Sequence, residues 1–155
     1  VSRVSEEHDV PWLYRSRLGI GWWRGRGFRK GPYQADPQQT ESWNRGAYLT
    51  DVVGHCGECH TPRNGIGVIQ RRHYLAGGNT PPERGPNITP HSSALGEWSS
   101  SDWEDFLEMG MSPDGNFVGG EMGRLVEHGT SRLSDQDRQA MVEYLLSVPP
   151  LSLRE

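Results

Sequence analysis

Apolar residues along this chain take up helical spacing in three places and lose regular order elsewhere. The clearest pattern lies near the end, where Met141, Tyr144, Leu145 and Val148 stand at i, i+3, i+4 and i+7. Ser134 precedes them as an N-cap with Asp137 three residues on, and Pro149-Pro150 stops the helix. A shorter helix follows Ser99 to Ser101, with Trp103, Phe106 and Leu107 on one face and Gly110 at its end. The third runs from Trp43 to Val53, with Thr40 as its cap and Glu41 in its first turn. Gly46 beside Ala47 leaves a bare patch on it, and the Tyr144 face of the last helix is expected to cross there. With one further turn at residues 56–60, the pattern predicts an all-α domain of about four short helices over residues 40–155.

Residues 1–39 read as a separate extension, mostly irregular. Pro11-Trp12-Leu13-Tyr14 and Trp22-Trp23 are strongly apolar, with Arg15, Arg17, Arg24, Arg26 and Arg29 among them, and Pro32 to Pro37 is a connection. Two accounts fit: the rings strap onto the domain's own surface, or they dock a partner, since tryptophan and arginine are both favoured at interface hot spots.

Composition sharpens this picture. With 33% hydrophobic residues, 20 glycines and 11 prolines in 155 residues, much of the chain must be loop around a modest core. Its net charge of −4 is unevenly spread: residues 1–45 carry eight Arg/Lys against five Asp/Glu, and residues 46–155 carry eight against fifteen. The basic part is short and has no recognised nucleic-acid module, so nucleic acid is excluded as the expected partner. No run is apolar enough to span a membrane, and Val1-Ser2-Arg3 does not open a signal peptide.

The chemistry centres on Cys56-Gly57-Glu58-Cys59-His60. Two cysteines three apart followed by histidine are the spacing of a c-type haem attachment. One helical turn puts both sulfurs on one side for thioethers to the haem vinyl groups, and the next residue offers an imidazole to iron. A thioredoxin-like pair would need a βαβ setting, and zinc would need further ligands; this chain has no third cysteine and no strand–helix alternation. With both cysteines claimed, no disulfide is expected. Attachment of this kind is periplasmic in bacteria, which implies a leader removed or lying outside this chain.

Gly85-Pro86-Asn87-Ile88 is the second informative stretch. A metal-bound histidine usually donates its other ring N–H to a fixed acceptor, and the carbonyl of Pro86 in a stiff loop suits His60. Ile88 joins Pro86 among the cofactor-contacting residues. For the far side of the iron, methionine is the usual ligand that raises the potential. Met141 belongs to the core face of the last helix, and Met109 to the end of the short one. Met111 and Met122 read as loop, and Met122 is preferred because Gly119, Gly120 and Gly123 let the backbone fold over the haem. His55 is too near the attachment site to cross over, and His73, His91 and His128 are weaker options.

Taken together, Trp43-Asn44-Arg45-Gly46-Ala47-Tyr48-Leu49, His55 to Asn64, Pro86-Asn87-Ile88-Thr89-Pro90, Pro113-Asp114-Gly115 and Gly119-Gly120-Glu121-Met122 resemble a class I cytochrome c domain. The closer resemblance is to one haem domain of the cytochrome c subunits of bacterial membrane-associated alcohol and sugar-acid dehydrogenases. It covers residues 40–150. It implies that the methionine after the paired glycines, Met122, is the distal ligand and that Pro86 accepts from the proximal His60. Such subunits typically hold three haem motifs, whereas this chain has one.

The expected function is electron transfer by one covalent haem c with His60 and Met122 as axial ligands. The donor would be a dehydrogenase and the acceptor a cytochrome or terminal oxidase, with no substrate chemistry on this chain. The alternatives are a haem domain with a labile sixth position, serving catalysis or gas sensing, and a haem domain that only holds a larger complex together.

Overall fold

A computed structural model describes residues 10, 12–28, 31–79 and 84–152. Pro11, Arg29 and the Pro81-Pro82 punctuation lie outside the described residues, as does the side chain of Leu13. Among the described residues there are six α-helices: α1 (Arg17–Gly27), α2 (Glu41–Tyr48), α3 (Cys56–His60), α4 (Ser100–Met109), α5 (Gly120–His128) and α6 (Asp135–Ser147). The all-α expectation holds, with two isolated β-bridges, Arg63 to Ile69 and Met111 to Phe117, in the loops.

The caps expected at Thr40 and Ser134 are present. Thr40 accepts from the amide of Trp43 at 2.9 Å to open α2, and Ser134 accepts from Asp137 at 3.2 Å to open α6. Ser99 and Asp102 form a reciprocal capping box at the start of α4, and Gly110 ends that helix with a positive φ of 76°. Beyond Tyr48 the helix continues as a π-helical turn, Leu49–Val53, closed by Gly54 N–H donating to the Leu49 carbonyl at 2.7 Å. The wider turn changes the angle at which the chain arrives at α3.

The core is built where α6 crosses α2 and α4. Ala47, Leu49, Trp103, Leu107, Met141 and Leu145 are buried there, with Leu75 and Ile88 supplied by loops. A Cβ on Gly46 would lie 1.9 Å from the carbonyl oxygen of Ala140, so the bare patch is the point of closest approach between α2 and α6. Polar contacts fix the crossing. Arg45 donates to both carboxylate oxygens of Asp137 at 2.8 and 2.9 Å, and the Trp43 indole donates to Ser147 at 2.6 Å while packing edge-on against Tyr144.

Two helices were not anticipated. α5 was expected as loop, placing Met122 in flexible chain; instead Met122 stands in the first turn of α5, two residues after Gly120 with its φ of 62°. Gly120 and Gly123 weaken the local helical preference, and the burial of Val126 offsets that cost. The second is α1, in the extension. It meets the loop that follows α3 at Trp23 and Gly27: the Trp23 indole donates to the Ile66 carbonyl at 2.8 Å, and Gly27 sits where a Cβ would touch Val68 at 3.3 Å. Tyr14 donates to the same Ile66 carbonyl at 3.3 Å. The strap account therefore describes the inner face of the extension. The connection after it is pinned to α2 by Asn44, whose side chain accepts from the Asp36 amide at 2.6 Å and donates to the Asp36 carbonyl at 2.9 Å.

Candidate haem-attachment site

His55 sets up the motif. It holds a left-handed φ of 51°, unusual outside glycine, and this kink at the end of the π-helical turn starts α3 one residue later. Cys56 and Cys59 then lie one helical turn apart, and neither is in a disulfide. Burial pushes the Cys56 thiol up to about 12, with the nearby Asp51 charge acting in the same direction. His60 closes the helix, 8% exposed.

Among the described residues, the His60 ring is hydrogen-bonded through one nitrogen. Its Nδ1 is 2.8 Å from the carbonyl oxygen of Pro86, which defines Nδ1 as the protonated nitrogen, donating, and leaves Nε2 with its lone pair. Burial lowers the tendency of the ring to take a second proton, so the neutral imidazole is kept. The histidine and the acceptor named from sequence are thus in contact, 26 residues apart in the chain.

Two loops hold this contact in place. The amide of Gly85 donates to the Cys59 carbonyl at 3.2 Å, and Gly77 donates to the His60 carbonyl at 2.8 Å. Gly78 and Gly85 bond to each other at 2.9 Å, and Ile88 N–H reaches the Leu75 carbonyl at 3.0 Å. The buried Thr61 hydroxyl accepts from the Leu75 amide at 3.0 Å. Side chains would not fit here: a Cβ on Gly78 would stand 2.0 Å from the Cys59 oxygen, and one on Gly85 would stand 2.8 Å from His60 Nδ1. Sequence reasoning took Gly77-Gly78 only as loop punctuation. The doublet and the Gly-Pro step were the available signal, but their partner, the α3 backbone, is distant in the chain.

Ile88 is buried in the core, and Asn87 donates to the Leu151 carbonyl at 2.6 Å, tying the loop to the segment that follows α6. Of the four methionines, Met141 is core and Met109 is exposed at the end of α4. Met111 and Met122 are both partly buried, the first paired across a bridge with Phe117 and the second on α5.

A polar group missed from sequence flanks α3. Asp51, in the π-helical turn, accepts hydrogen bonds from the hydroxyls of both Tyr74 and Tyr144, the latter at 3.0 Å. Burial raises the Asp51 carboxyl above the ordinary carboxylate range, against the opposing pull of the two hydroxyls and of Arg71. Burial and the adjacent Asp51 charge push both phenols well up, so they remain donors.

The residues present fit a covalently held haem. Two unpaired sulfurs on one turn are the right anchors, and a buried neutral imidazole with one nitrogen already committed is the right axial donor. In the core, the indole N–H of buried Trp103 has no acceptor among the described residues, leaving a donor that a bound group can meet.

Comparison with known proteins agrees. The family model described as Cytochrome c matches residues 44–149. A protein of Cereibacter sphaeroides named "Diheme cytochrome c-type" is 40% identical over 152 residues, covering 96% of this chain and 49% of that protein. The fructose dehydrogenase cytochrome subunit of Gluconobacter japonicus is 38% identical, covering 96% and 31%. The cytochrome c subunit of the quinone alcohol dehydrogenase of Gluconobacter oxydans is 35% identical, covering 96% and 33%. The chain spans about half the length of the first relative and about a third of the other two. With the family match running from α2 to the end of α6, this chain belongs to the cytochrome c family, and haem c is its cofactor.

Proposed function

We infer that this chain carries electrons through one haem c, bound by thioethers from Cys56 and Cys59 and ligated by His60 and Met122. It would work in the periplasm, taking electrons from a dehydrogenase and passing them to another cytochrome or a terminal oxidase. When bound, the haem supplies a one-electron couple between Fe(III) and Fe(II). The observation that carries the reading is the His60 to Pro86 contact at 2.8 Å: with Nδ1 committed to a backbone carbonyl, the ring is oriented and its tautomer set for ligation through Nε2.

The protein's own residues do three things. Cys56 and Cys59 anchor, so that the cofactor cannot exchange. The loops around Gly78 and Gly85 hold the α3 backbone, which keeps the proximal side rigid between oxidation states. Leu75, Ile88, Leu107 and Met141 exclude water from the interior, which favours the less charged reduced state. One haem is inferred because the chain contains a single Cys-x-x-Cys-His motif; the relative named as diheme is about twice as long. Relatives named as cytochrome subunits of fructose and alcohol dehydrogenases support a dehydrogenase as donor and a carrier without substrate chemistry of its own.

The test is spectroscopic. Holoprotein should keep its haem through acidified organic extraction, whereas a Cys56→Ala, Cys59→Ala variant should yield little or no holoprotein. The oxidised form should show the weak far-red band of methionine-to-iron ligation, and the reduced form should not bind carbon monoxide. Free extraction would refute covalent attachment. Carbon monoxide binding by the wild type would favour a labile sixth position, with catalysis or gas sensing in place of pure electron transfer.

A further inference from the structure

The outer face of α1 is unlike any other surface of the described chain. Leu18 is 88% exposed, Trp22 is 45% exposed, and Trp12 in the turn before the helix is 81% exposed. Between Val10 and Ala35 the sequence has arginines at 15, 17, 24, 26 and 29 and a lysine at 30, with no Asp or Glu. None of Arg17, Arg24 and Arg26 enters an ion pair among the described residues. Two of them lie instead over exposed rings: Arg26 is 3.7 Å from the Trp22 ring centroid, and Arg24 is 5.0 Å from that of Phe28.

The helix is also fixed in orientation. Trp23 and Gly27 are turned onto the Ile66 and Val68 loop, so the opposite side, with Leu18, Gly21, Trp22 and Gly25, faces outward, flanked by Arg17 and Arg24 along one edge and Arg26 along the other. That side is bare, since a Cβ on Gly21 or Gly25 would meet nothing within 4 Å.

We propose that this face seats the domain on an anionic lipid surface, with Leu18 and Trp22 in the headgroup layer and Arg17, Arg24 and Arg26 on lipid phosphates. A protein interface needs a rim of paired donors and acceptors, whereas the charged side chains of this face are all guanidinium donors, with no carboxylate between Val10 and Ala35. Lipid phosphates accept without shape, and guanidinium groups bind them bidentately. Tryptophan favours the interfacial layer, and arginine can lay its stem along apolar side chains while its head stays with phosphate. The helix would lie flat in the surface, and no described helix is long and apolar enough to cross. The chain's net charge of −4 opposes attraction to such a surface as a whole, so binding must come from this local patch.

Cosedimentation of holoprotein with vesicles decides the matter. Wild type should pellet with phosphatidylcholine vesicles containing phosphatidylglycerol and stay in solution with phosphatidylcholine alone, and the bound fraction should fall as salt is raised. The triple variant Arg17→Gln, Arg24→Gln, Arg26→Gln should bind anionic vesicles roughly a hundredfold more weakly, from three charges near the surface. Trp22→Ala with Leu18→Ala should also reduce binding, at unchanged salt dependence. These exposed changes leave the inner contacts intact, so the haem spectrum and melting temperature should match wild type. Equal binding to both vesicle types, or full binding by the triple variant, overturns the proposal. So does a wild type that ignores vesicles but forms a salt-sensitive complex with itself or an acidic protein through these residues, which would make the face a protein interface.

Discussion

Gly46 of α2 meets the Ala140 carbonyl of α6 so closely that a Cβ would sit 1.9 Å from the oxygen and 2.5 Å from its carbon. Backbone, unlike a side chain, cannot rotate away. Gly46→Ala must therefore push the two helices apart and loosen Met141, Tyr144 and Leu145 together, at a cost of about 3 kcal/mol or more. Gly65→Ala, where nothing lies within 4 Å, should stay within about 0.5 kcal/mol of wild type. Denaturant unfolding of the two variants checks this, and equal stability would mean that α2 and α6 do not close here.

Gly85→Ala acts on the proximal side. Its new methyl group would stand 2.8 Å from His60 Nδ1 and 2.7 Å from the Cys59 oxygen, so the imidazole must turn away from Pro86. Loss of such an outer hydrogen bond typically costs about 10–100-fold in metal affinity or activity. The expected result is less holoprotein and a changed reduction potential. Pro86→Ala retains the carbonyl and should change both far less. A Gly85→Ala protein with wild-type potential would show that the contact does not govern the ligand.

The distal assignment separates two partly buried methionines. Met122→Ala should open the sixth position, lower the potential and allow carbon monoxide to bind the reduced protein, because a soft neutral sulfur that favours Fe(II) is lost. Met111→Ala should leave all three unchanged. If the Met111 variant alone shows these effects, the ligand is Met111.

Asp51 makes stability depend on pH. Its carboxyl is raised in the folded state by burial, so the folded protein holds that proton more tightly than the unfolded chain does. The associated stability is present at low pH and is lost as pH rises from the ordinary value of 3.8 through the raised one. Asp51→Asn carries no charge and still accepts from Tyr74 and Tyr144. The difference between variant and wild type should therefore move in the variant's favour as pH rises across that window. Unfolding free energies measured at several pH values would test it, and parallel curves would exclude Asp51 as the source.

Local chemistry was legible in the sequence wherever a few neighbouring residues sufficed. Cys56, Cys59 and His60 stand out by spacing alone, and Thr40 and Ser134 cap helices through amides three residues away. The apolar stripe of α6 is one face of a single element, and even Gly46 could be matched to the Tyr144 face, because a gap on one helix calls for another. Other features depended on partners far along the chain. α5 carries glycines that argue against a helix, and its burial against the rest of the domain outweighs them. Nothing near Gly85 indicates that its missing side chain makes room for His60, and nothing near Asp51 names phenols from two distant segments. The two rings of Trp22 and Trp23 are adjacent and chemically identical, yet one is bonded to the Ile66 carbonyl and the other faces outward. That division follows from the helical turn of about 100° per residue and from which side of α1 the folded loop offers, and only the tertiary structure supplies the second.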